Sequence, residues 1–244
     1  MKIIAHRGAI KRAPQNTLAA FRAALEMNID GVETDVHFTK DGKVVLCHNT
    51  DIDATSDGTG FINDMSFDEL RGYDFGGYFG EAFKGEKAPE LTEFLELVKD
   101  VEIINIEIKT PHNSDYSIVD ETLNAVAERG LSKQLLISSF DPVALRRVRE
   151  LDPEIRTGLL YDMTKDIYRD IRPDPVAYAL KLGCRALHPF KFNINAKIIS
   201  RAHEYGLDVN PWTVDNVRTA KRLQRIGADS LITNVPDVME RFKD

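Results

Sequence analysis

A histidine and an arginine follow the first apolar run of the sequence. His6 and Arg7 come directly after the run at residues 3–5, and Gly8 follows them. A histidine transfers protons near neutral pH, and an arginine offers a planar fork of donors that matches a phosphate. Glycine lets a ligand approach the main chain closely. A second histidine, His48, ends the extended run at residues 44–48. These residue types suit proton transfer beside a bound phosphate.

Three acidic side chains alternate with apolar residues in two further runs. Glu33 and Asp35 are two positions apart, so in a strand they share one face, about 7 Å apart along the chain. Glu107 alternates with isoleucines and precedes Lys109 by the same spacing. Clustered carboxylates repel each other unless a positive charge lies between them, and hard divalent cations such as Mg²⁺ and Ca²⁺ take oxygen ligands. A structural ion pair of Glu107 with Lys109 or another base is the alternative.

The elements that must position these side chains follow a regular alternation of strand and helix patterns. Glycine directly after a helical run signals its end, and it recurs at residues 130, 183, 206 and 227. Eight such units in 244 residues predict an α/β fold, a (β/α)8 TIM barrel. A doubly wound open sheet is the alternative, but no G-x-G-x-x-G fingerprint follows the first strand. The predicted strands lie near residues 3, 32, 103, 135, 157, 186, 209 and 230, the seventh covering Asp208–Val214, and the first predicted helix is capped by Asn16-Thr17.

One stretch departs from this alternation. A hairpin-type turn at residues 40–43 leads into the run at 44–48, and the chain then stays irregular from residue 49 to about 88. Long irregular stretches inside compact domains are usually functional or form a small subdomain. We therefore predict a single barrel domain over residues 1–244, with a small insertion at about 49–88 after the second barrel strand. In such a barrel, functional residues gather at the carboxyl ends of the strands.

Composition and charge narrow the classes of protein. The net charge of −7 comes from well-mixed acidic and basic residues, which argues against a nucleic-acid-binding surface but allows an anionic small molecule in a locally positive site. Cys47 and Cys184 are far apart and suit a reducing compartment. The first strand begins at once, without a signal-peptide pattern, and no apolar run is long enough to span a membrane. We predict a cytoplasmic protein without a stable membrane anchor, and its oligomeric state is left open.

Several short motifs, in order, resemble the glycerophosphodiester phosphodiesterase family over essentially the whole chain. The matching stretches are Ala5-His6-Arg7-Gly8, Pro14-Gln15-Asn16-Thr17-Leu18-Ala19-Ala20-Phe21, Glu33-Thr34-Asp35-Val36, Thr39-Lys40-Asp41-Gly42, Val44-Val45-Leu46-Cys47-His48, Asn105-Ile106-Glu107-Ile108-Lys109, Ser138-Ser139-Phe140, Trp212-Thr213-Val214 and Ile232-Thr233-Asn234-Val235-Pro236.

The resemblance implies a metal-dependent enzyme that hydrolyses glycerophosphodiesters to glycerol 3-phosphate and an alcohol. It implies one divalent cation, Mg²⁺ or Ca²⁺, held by Glu33, Asp35 and Glu107. It also implies an acid–base pair, His6 and His48, that exchanges protons with the attacking and leaving oxygens. In this family the glycerol 2-hydroxyl is thought to attack phosphorus, giving a cyclic phosphate that water then opens.

The resemblance further implies how the substrate binds. Arg7 and Lys109 would hold phosphate oxygens, and Trp212 with Phe190 would form an apolar wall beside the glycerol or the alcohol. Core packing is the alternative for Phe190.

The chain departs from the family pattern at three places. Gln15 replaces a usual Glu near the metal, from which we expect weaker metal affinity or altered ion choice while the three implied ligands remain. Asn49 replaces a frequent Asp after the second histidine. The run 52–56 lacks the arginine usual in the insertion, which bears on substrate preference more than on catalysis.

Two other functions stay open. A lysophospholipase D-type activity needs an apolar groove for an acyl chain, which aromatic residues of the insertion would line if they do not simply pack it. A catalytically silent phosphate-binding barrel is favoured only by Gln15, and retention of both histidines argues against it.

Overall fold

A sheet of parallel strands forms the centre of the computed structural model, which describes residues 1–110, 116–163 and 174–243. Its strands alternate with helices along the chain. The strands are β1 (Lys2–His6), β2 (Gly31–Phe38), β3 (Val44–Leu46), β4 (Ile103–Ile108), β5 (Leu135–Ser139), β6 (Arg156–Tyr161), β7 (Ala186–Pro189), β8 (Asp208–Val209) and β9 (Ser230–Thr233). The helices are α1 (Leu18–Leu25), α2 (Phe67–Leu70), α3 (Leu91–Leu97), α4 (Ser117–Ala127), α5 (Pro142–Leu151), α6 (Pro175–Leu182), α7 (Ala196–Glu204), α8 (Val217–Arg225) and α9 (Pro236–Met239).

The parallel strands curl into a nearly closed barrel. Their order is β8-β7-β6-β5-β4-β2-β1-β9. Beyond this ladder, the amide of Asp229 donates to the carbonyl of Val209 at 3.0 Å, and the amide of Ile232 donates to the carbonyl of Pro211 at 3.1 Å. These hydrogen bonds bring the two outer strands together. The predicted (β/α)8 barrel is confirmed, and each predicted strand position lies inside an observed parallel strand.

The strand predicted over Asp208–Val214 is shorter than expected. Its ladder covers only Asp208–Val209, although Phe190 and Trp212 still form an isolated parallel bridge. Pro211 has no amide hydrogen and therefore cannot donate to a ladder. The strand is interrupted at the mouth of the barrel for this reason.

Local sequence signals explain where the helices begin and end. The side chain of Thr17 accepts from the amide of Ala20 and caps α1. The side chain of Asp141 accepts from the amide of Val143 at the start of α5. Gly183 ends α6 in the left-handed conformation with φ 73°, which glycine adopts without a steric penalty. The other predicted stop glycines follow α4, α7 and α8.

The chain between β2 and α3 leaves the barrel. β3 pairs antiparallel with β2 and turns the chain back. The following segment, residues 49–90, carries short helical turns and α2 around a small apolar cluster that includes Ile52, Ile62 and Leu70. Its far end returns to its beginning, because the amide of Leu46 donates to the carbonyl of Pro89 at 2.9 Å. The predicted insertion after the second barrel strand is therefore present as a segment with joined ends.

The barrel interior has an apolar layer and a polar layer. Five buried apolar side chains form one cluster inside the barrel, and each is followed two residues later by a polar residue, which lies on the same strand face in four cases and directly after β9 in the fifth. The apolar-then-polar pairs are Ile4 and His6, Ile103 and Asn105, Leu136 and Ser138, Ala186 and His188, and Ile232 and Asn234. Two larger apolar clusters pack the outer strand faces against the helices. Polar residues are thus directed to the carboxyl-end mouth of the barrel.

Candidate active site

The end of β1 turns sharply and places Arg7 against β2. Arg7 has φ 56° and Gly8 has φ 84°. A side chain at Gly8 would come within 2.7 Å of the backbone of Ala20, so this position accepts only glycine without movement. The Arg7 amide donates to the Glu33 carbonyl at 2.8 Å and faces the Glu33 carboxylate at 3.2 Å. His6 pairs in register with Glu33.

Three carboxylates from β2 and β4 meet next to this turn. Asp35 and Glu107 are paired in register on neighbouring strands, and Glu33 lies two residues before Asp35 on the same face. Glu33, Asp35 and Glu107 are all buried, and one oxygen from each lies within 4.8 Å of the others. Carboxylate oxygens are the ligands that hard divalent cations prefer. The donor set fits one such ion.

Two basic side chains also enter this cluster. Arg7 Nε lies 3.1 Å from Asp35, and Lys109 Nζ lies 3.0 Å from Asp35 and 2.5 Å from Glu107. The ion pair between Glu107 and Lys109 that was considered as an alternative is therefore present within the acidic cluster itself. Three acids facing two bases leave one carboxylate without a neutralising base. A bound cation would supply the missing positive charge.

The charges and burial shift the acidic groups in different directions. Burial raises the pKa of Glu33 well above its usual range, and the neighbouring Asp35 charge adds to this effect. Burial also acts on Asp35, but the charges of Lys109 and Arg7 outweigh it and hold the Asp35 pKa well below its usual range. Burial raises the pKa of Glu107 to about 7, against the opposing charge of Lys109. Asp35 is the fixed anion of the cluster.

An asparagine orients each of the two candidate histidines. His6 Nδ1 lies 2.7 Å from Oδ1 of Asn234, whose own side chain donates to Asp215 at 2.8 Å. His48 Nδ1 lies 2.8 Å from Oδ1 of Asn49. An amide oxygen only accepts, so both rings carry their proton on Nδ1 and keep an unprotonated Nε2. The His6 Nε2 atom lies 3.8 Å from Glu33.

Both histidines are held in the neutral form by their surroundings. Burial lowers the pKa of His6 to about 4, and the adjacent Arg7 charge contributes to this. Burial also lowers the pKa of His48. His48 comes from the β3 side, where the backbone carbonyl of His48 is 3.3 Å from Nε2 of His37. Neutral imidazoles in this position are suited to accepting a proton.

Gln15 connects the phosphate-binding candidate Arg7 to the segment 49–90. The Arg7 guanidinium donates to Gln15 Oε1 at 2.9 Å. Burial raises the pKa of the Tyr78 hydroxyl, and the adjacent backbone and side chain of Gln15 oppose this rise. The neutral amide therefore accepts from Arg7 while lying beside Tyr78. The residue that departs from the family pattern is a link between Arg7 and the insertion.

The opposite side of the mouth is lined by aromatic and apolar side chains. A cavity of about 240 Å³ lies between the two sides. The rings of Phe140 and Phe190 each pack edge-on against Trp212 at 5.6 Å, and the indole of Trp212 donates to the carbonyl of His188 at 2.8 Å. The cavity is lined by His6, Arg7, Glu33, His48, Glu107, Lys109, Ser138, Phe140, Leu160, His188, Trp212 and Ile232. Asp35 lies behind this surface.

Three further residues of the site were not assigned a role from the sequence. Asn16 was predicted as part of a helix cap, but its side chain donates to Asp35 at 3.1 Å and accepts from Thr34. The φ of Asn16 is 55°, a left-handed conformation that asparagine tolerates. This backbone angle distinguishes Asn16 from the neighbouring cap residue Thr17. Asn234, directly after β9, and His188, on β7, are distant in sequence from their partners, so no local pattern indicated them.

The fold and this mouth of acids, bases and histidines define an enzyme of the (β/α)8-barrel class. The model of the glycerophosphoryl diester phosphodiesterase family matches residues 6–238. A glycerophosphodiester phosphodiesterase of Caldanaerobacter subterraneus subsp. tengcongensis is 37% identical over 238 residues, covering 97% of this chain and 95% of that protein. The chain belongs to the glycerophosphoryl diester phosphodiesterase family.

Solved structures of similar proteins share the whole fold. An Oleispira antarctica phosphodiesterase in complex with the product sn-glycerol-3-phosphate has a TM-score of 0.88 and 26% identity, covering 99% of this chain and 96% of that one. The glycerophosphodiester phosphodiesterase of Thermotoga maritima has a TM-score of 0.81 and 28% identity, covering 100% and 98%.

Proposed function

We propose that this protein hydrolyses glycerophosphodiesters to glycerol 3-phosphate and an alcohol, using one divalent cation and two histidines. The observation that carries the proposal is the buried cluster of Glu33, Asp35 and Glu107 in the same mouth as His6 and His48. Family membership supports the same reaction. We also propose that residues 1–244 act as one domain.

The three carboxylates would hold Mg²⁺ or Ca²⁺, with Asp35 as the ligand that is ionised throughout the neutral range. Such a cation supplies Lewis-acid stabilisation of the charge on a phosphoryl oxygen when it is bound. The chain's own cations act beside it. Arg7 and Lys109 would hold phosphate oxygens by charge-assisted hydrogen bonds, and Gln15 keeps the Arg7 guanidinium in position.

The two histidines would move the protons. In the first step, the neutral Nε2 of one histidine accepts the proton of the glycerol 2-hydroxyl. The hydroxyl oxygen bonds to phosphorus, and the bond between phosphorus and the oxygen of the leaving alcohol breaks. The other histidine, which is neutral in the free site, first takes up a proton from solvent and then gives it to the departing alcohol. Water then opens the cyclic phosphate with the proton transfers reversed. Asn234 and Asn49 would keep both Nε2 atoms available for these transfers.

The location and partners of the protein follow the same proposal. A small glycerophosphodiester is the proposed partner, and nucleic acid is not. Among residues 1–110, 116–163 and 174–243, no helix has both the length and the apolar character needed to cross a bilayer. Cys47 and Cys184 are free and buried. We propose a cytoplasmic location because this cysteine usage suits a reducing compartment.

The test is release of glycerol 3-phosphate from glycerophosphocholine in the presence of Mg²⁺ or Ca²⁺. We expect release to stop with a chelator and to fall in His6→Ala and His48→Ala by at least about 10²-fold, the usual contribution of acid–base catalysis. His203→Ala is the matched control, because His203 is exposed and pairs with Asp229 away from the mouth. If wild type releases no glycerol 3-phosphate from any headgroup with any divalent ion, the silent phosphate-binding barrel replaces this proposal.

A lysophospholipase D-type activity is a second candidate, favoured by one observation. The ring of Phe192 packs against Phe190 at 5.5 Å, Phe190 packs against Trp212, and Phe192 is 66% exposed. Aromatic rings thus lead from the cavity wall to the surface and would accommodate an acyl chain. Release of choline from lysophosphatidylcholine, reduced selectively in Phe192→Ser relative to glycerophosphocholine, would support it. Equal reduction for both substrates would contradict it.

A further inference from the structure

One face of α8 carries four basic side chains, and the helix contains no acidic residue. This basic face consists of Arg218, Lys221, Arg222 and Arg225. Their spacing of three and four residues places them side by side on the helix. The opposite face packs into the core through Ala220 and Leu223, which are buried. A groove of about 340 Å³ lies on the basic face, so an anionic group in it would be surrounded by bases.

The charges of the basic face are not neutralised by neighbouring acids. In the part of the chain that the structure describes, none of the four bases forms an ion pair with a carboxylate. Helix α5 differs, because its Arg147 pairs with Asp120 and Glu150. Like charges three or four residues apart on a helix repel each other, and Arg218 in the first turn also opposes the helix dipole. The basic face therefore costs stability and is matched to a negatively charged partner, although the whole chain has a net charge of −7.

An exposed aromatic ring lies beside the basic face. The Arg222 guanidinium donates to the carbonyl of Lys191 at 2.6 Å and to the carbonyl of Ile194 at 3.3 Å, which fixes the loop after β7 against α8. Phe192 lies in this loop and is 66% exposed. The ammonium nitrogen of Lys191 lies 5.7 Å from the centre of the Phe192 ring. The surface therefore offers positive charge and a large apolar group next to each other.

This combination matches the interfacial region of a membrane that contains anionic lipids. Aromatic rings insert at the boundary of headgroups and acyl chains, and bases beside them attract anionic headgroups. The phosphates of a nucleic-acid duplex would bind the bases but would leave the Phe192 ring in water. Phe192 packs against Phe190, and Phe190 packs against Trp212 in the cavity wall. The surface is thus continuous with the mouth of the candidate active site.

We propose that the basic face of α8 and the ring of Phe192 form a docking surface for a bilayer rich in anionic phospholipid. Four bases and one ring support peripheral, reversible binding, which differs from the stable insertion of a membrane-spanning helix. The inference goes beyond the proposed function and does not depend on it. It assigns a role to residues outside the cavity and places the barrel mouth next to a lipid surface.

The test measures sedimentation of the full chain with vesicles of phosphatidylcholine alone or of phosphatidylcholine and phosphatidylglycerol in equal parts. We expect wild type to bind only the anionic vesicles, and to be released at a salt concentration of about 1 M, where charges are screened within about 3 Å. The α8 variant combines Arg218→Gln, Lys221→Gln and Arg225→Gln. Its affinity should fall on the order of 100-fold, because each base near an anionic membrane contributes about 5-fold. Arg222 is left unchanged because it fixes the loop that carries Phe192.

A matched control removes the same number of charges elsewhere. It combines Lys40→Gln, Lys133→Gln and Arg146→Gln, which are exposed bases outside α8. We expect this variant to bind anionic vesicles within about 3-fold of wild type, because surface charges farther away than a Debye length are largely screened. An equal loss of affinity in the control and in the α8 variant would show that net charge alone determines binding, and would contradict the inference.

A single substitution tests the aromatic part of the surface and covers an α8 variant that fails to fold. Phe192→Ser should bind anionic vesicles about 10-fold more weakly, as expected for a phenyl ring that is no longer buried, while its preference for anionic over neutral vesicles remains. The folded α8 variant should hydrolyse glycerophosphocholine at the wild-type rate, because its three changed side chains do not line the cavity.

Vesicle binding is measured without turnover, so the two proposals can fail separately. No hydrolysis by wild type would contradict the proposed function alone. Three results would overturn the docking surface: equal binding of wild type to both kinds of vesicle, unchanged binding of the folded α8 variant or of Phe192→Ser, or tighter binding to a DNA duplex of random sequence than to the anionic vesicles.

Discussion

One side of the barrel mouth is charged and the other is largely apolar, although the ends of parallel strands form both. On β1, β2 and β4 the strand ends carry three acids, two bases and a histidine, all within a few ångströms of one another. Near the ends of β5 to β8 lie Phe140, Leu160, His188 and Trp212, which line the cavity, and the rings of Phe140 and Trp212 pack edge-on. Ion pairs stabilise the charged side, and side-chain packing stabilises the apolar side.

Each side depends on the other. Charges interact more strongly where water is excluded, so an apolar wall across a cavity of about 240 Å³ strengthens the ion pairs that face it. The same exclusion is the reason that burial dominates the pKa shifts of Glu33, Glu107 and His6. We therefore expect changes on the charged side to reduce catalysis, and changes on the apolar side to alter stability and selectivity.

The largest effect should come from the fixed anion of the charged side. Asp35→Asn keeps the size of the side chain but removes the charge that Arg7 and Lys109 share. We expect a loss of about 10³-fold in kcat, as for removal of a main electrostatic group, together with weaker Mg²⁺ or Ca²⁺ binding measured by calorimetry. Glu102→Gln, an exposed partner of Lys2, is the control. Full activity of Asp35→Asn would show that the charged side is structural only.

The next effect probes the shape of the apolar side. In Gly158→Ala, the added methyl group would lie 2.5 Å from Nε2 and 2.6 Å from Cδ2 of His188, so the ring must move. We expect the free energy of unfolding to fall by about 1–3 kcal/mol, as for other overpacked interiors, measured by urea denaturation. Gly80→Ala should be neutral, because nothing lies within 4 Å of a methyl group there. Equal stability of both variants would mean that the apolar side adapts freely.

A third effect is the dependence of stability on pH. The pKa of His188 is lowered to about 3 in the folded protein, so between that value and the ordinary value of about 6.5 only the unfolded chain binds the proton. Stability from this group is complete above pH 6.5 and is lost as the pH falls. At pH 5 the loss is about 2 kcal/mol.

The measurement is a comparison of slopes between two proteins. Urea denaturation of wild type and His188→Leu from pH 8 to pH 5 should show a shallower fall of unfolding free energy in the variant. His6 and His37 also have lowered pKa values, but they contribute equally to both proteins. Parallel curves would show that His188 is not buried in neutral form.

The smallest effect concerns orientation within the charged side. Asn234→Ala removes the acceptor of His6 Nδ1 and leaves the imidazole free to rotate. We expect kcat to fall by about 10-fold, equivalent to one lost hydrogen bond, with little change in KM. Asn28→Ala, an exposed partner of Lys243, is the control. A change in KM without a change in kcat would place Asn234 in substrate binding instead.

The charged side was largely predictable from the sequence, and the apolar side was not. Glu33, Asp35 and Glu107 share strands whose alternation sets the facing direction, and Asp35 and Glu107 prove to be register partners. In a barrel the carboxyl ends of the strands lie at one mouth, so the predicted fold places these three acids near one another. The roles of these residues stay predictions, while their assembly in one place is a structural observation.

The residues that were missed depend on partners far away in the chain. His188 and Asn210 are 22 residues apart and meet only because β7 and β8 are neighbours. Asn16 looked like a cap because Thr17 beside it is one, and only its positive φ turns it toward Asp35. Such contacts depend on strand register and backbone angles, and short-range sequence patterns specify neither of these.

The joined ends of the segment 49–90 have a consequence for how this chain can vary in length. Val45 bridges Glu90 and the amide of Leu46 donates to Pro89, so the segment begins and ends at one place. The entropy of closing a flexible loop grows only with the logarithm of its length, and doubling the length costs about 0.6 kcal/mol. Insertions or deletions within the segment would therefore leave the barrel strands undisturbed. The segment 49–90 can change in length while β2 and β4 keep their register.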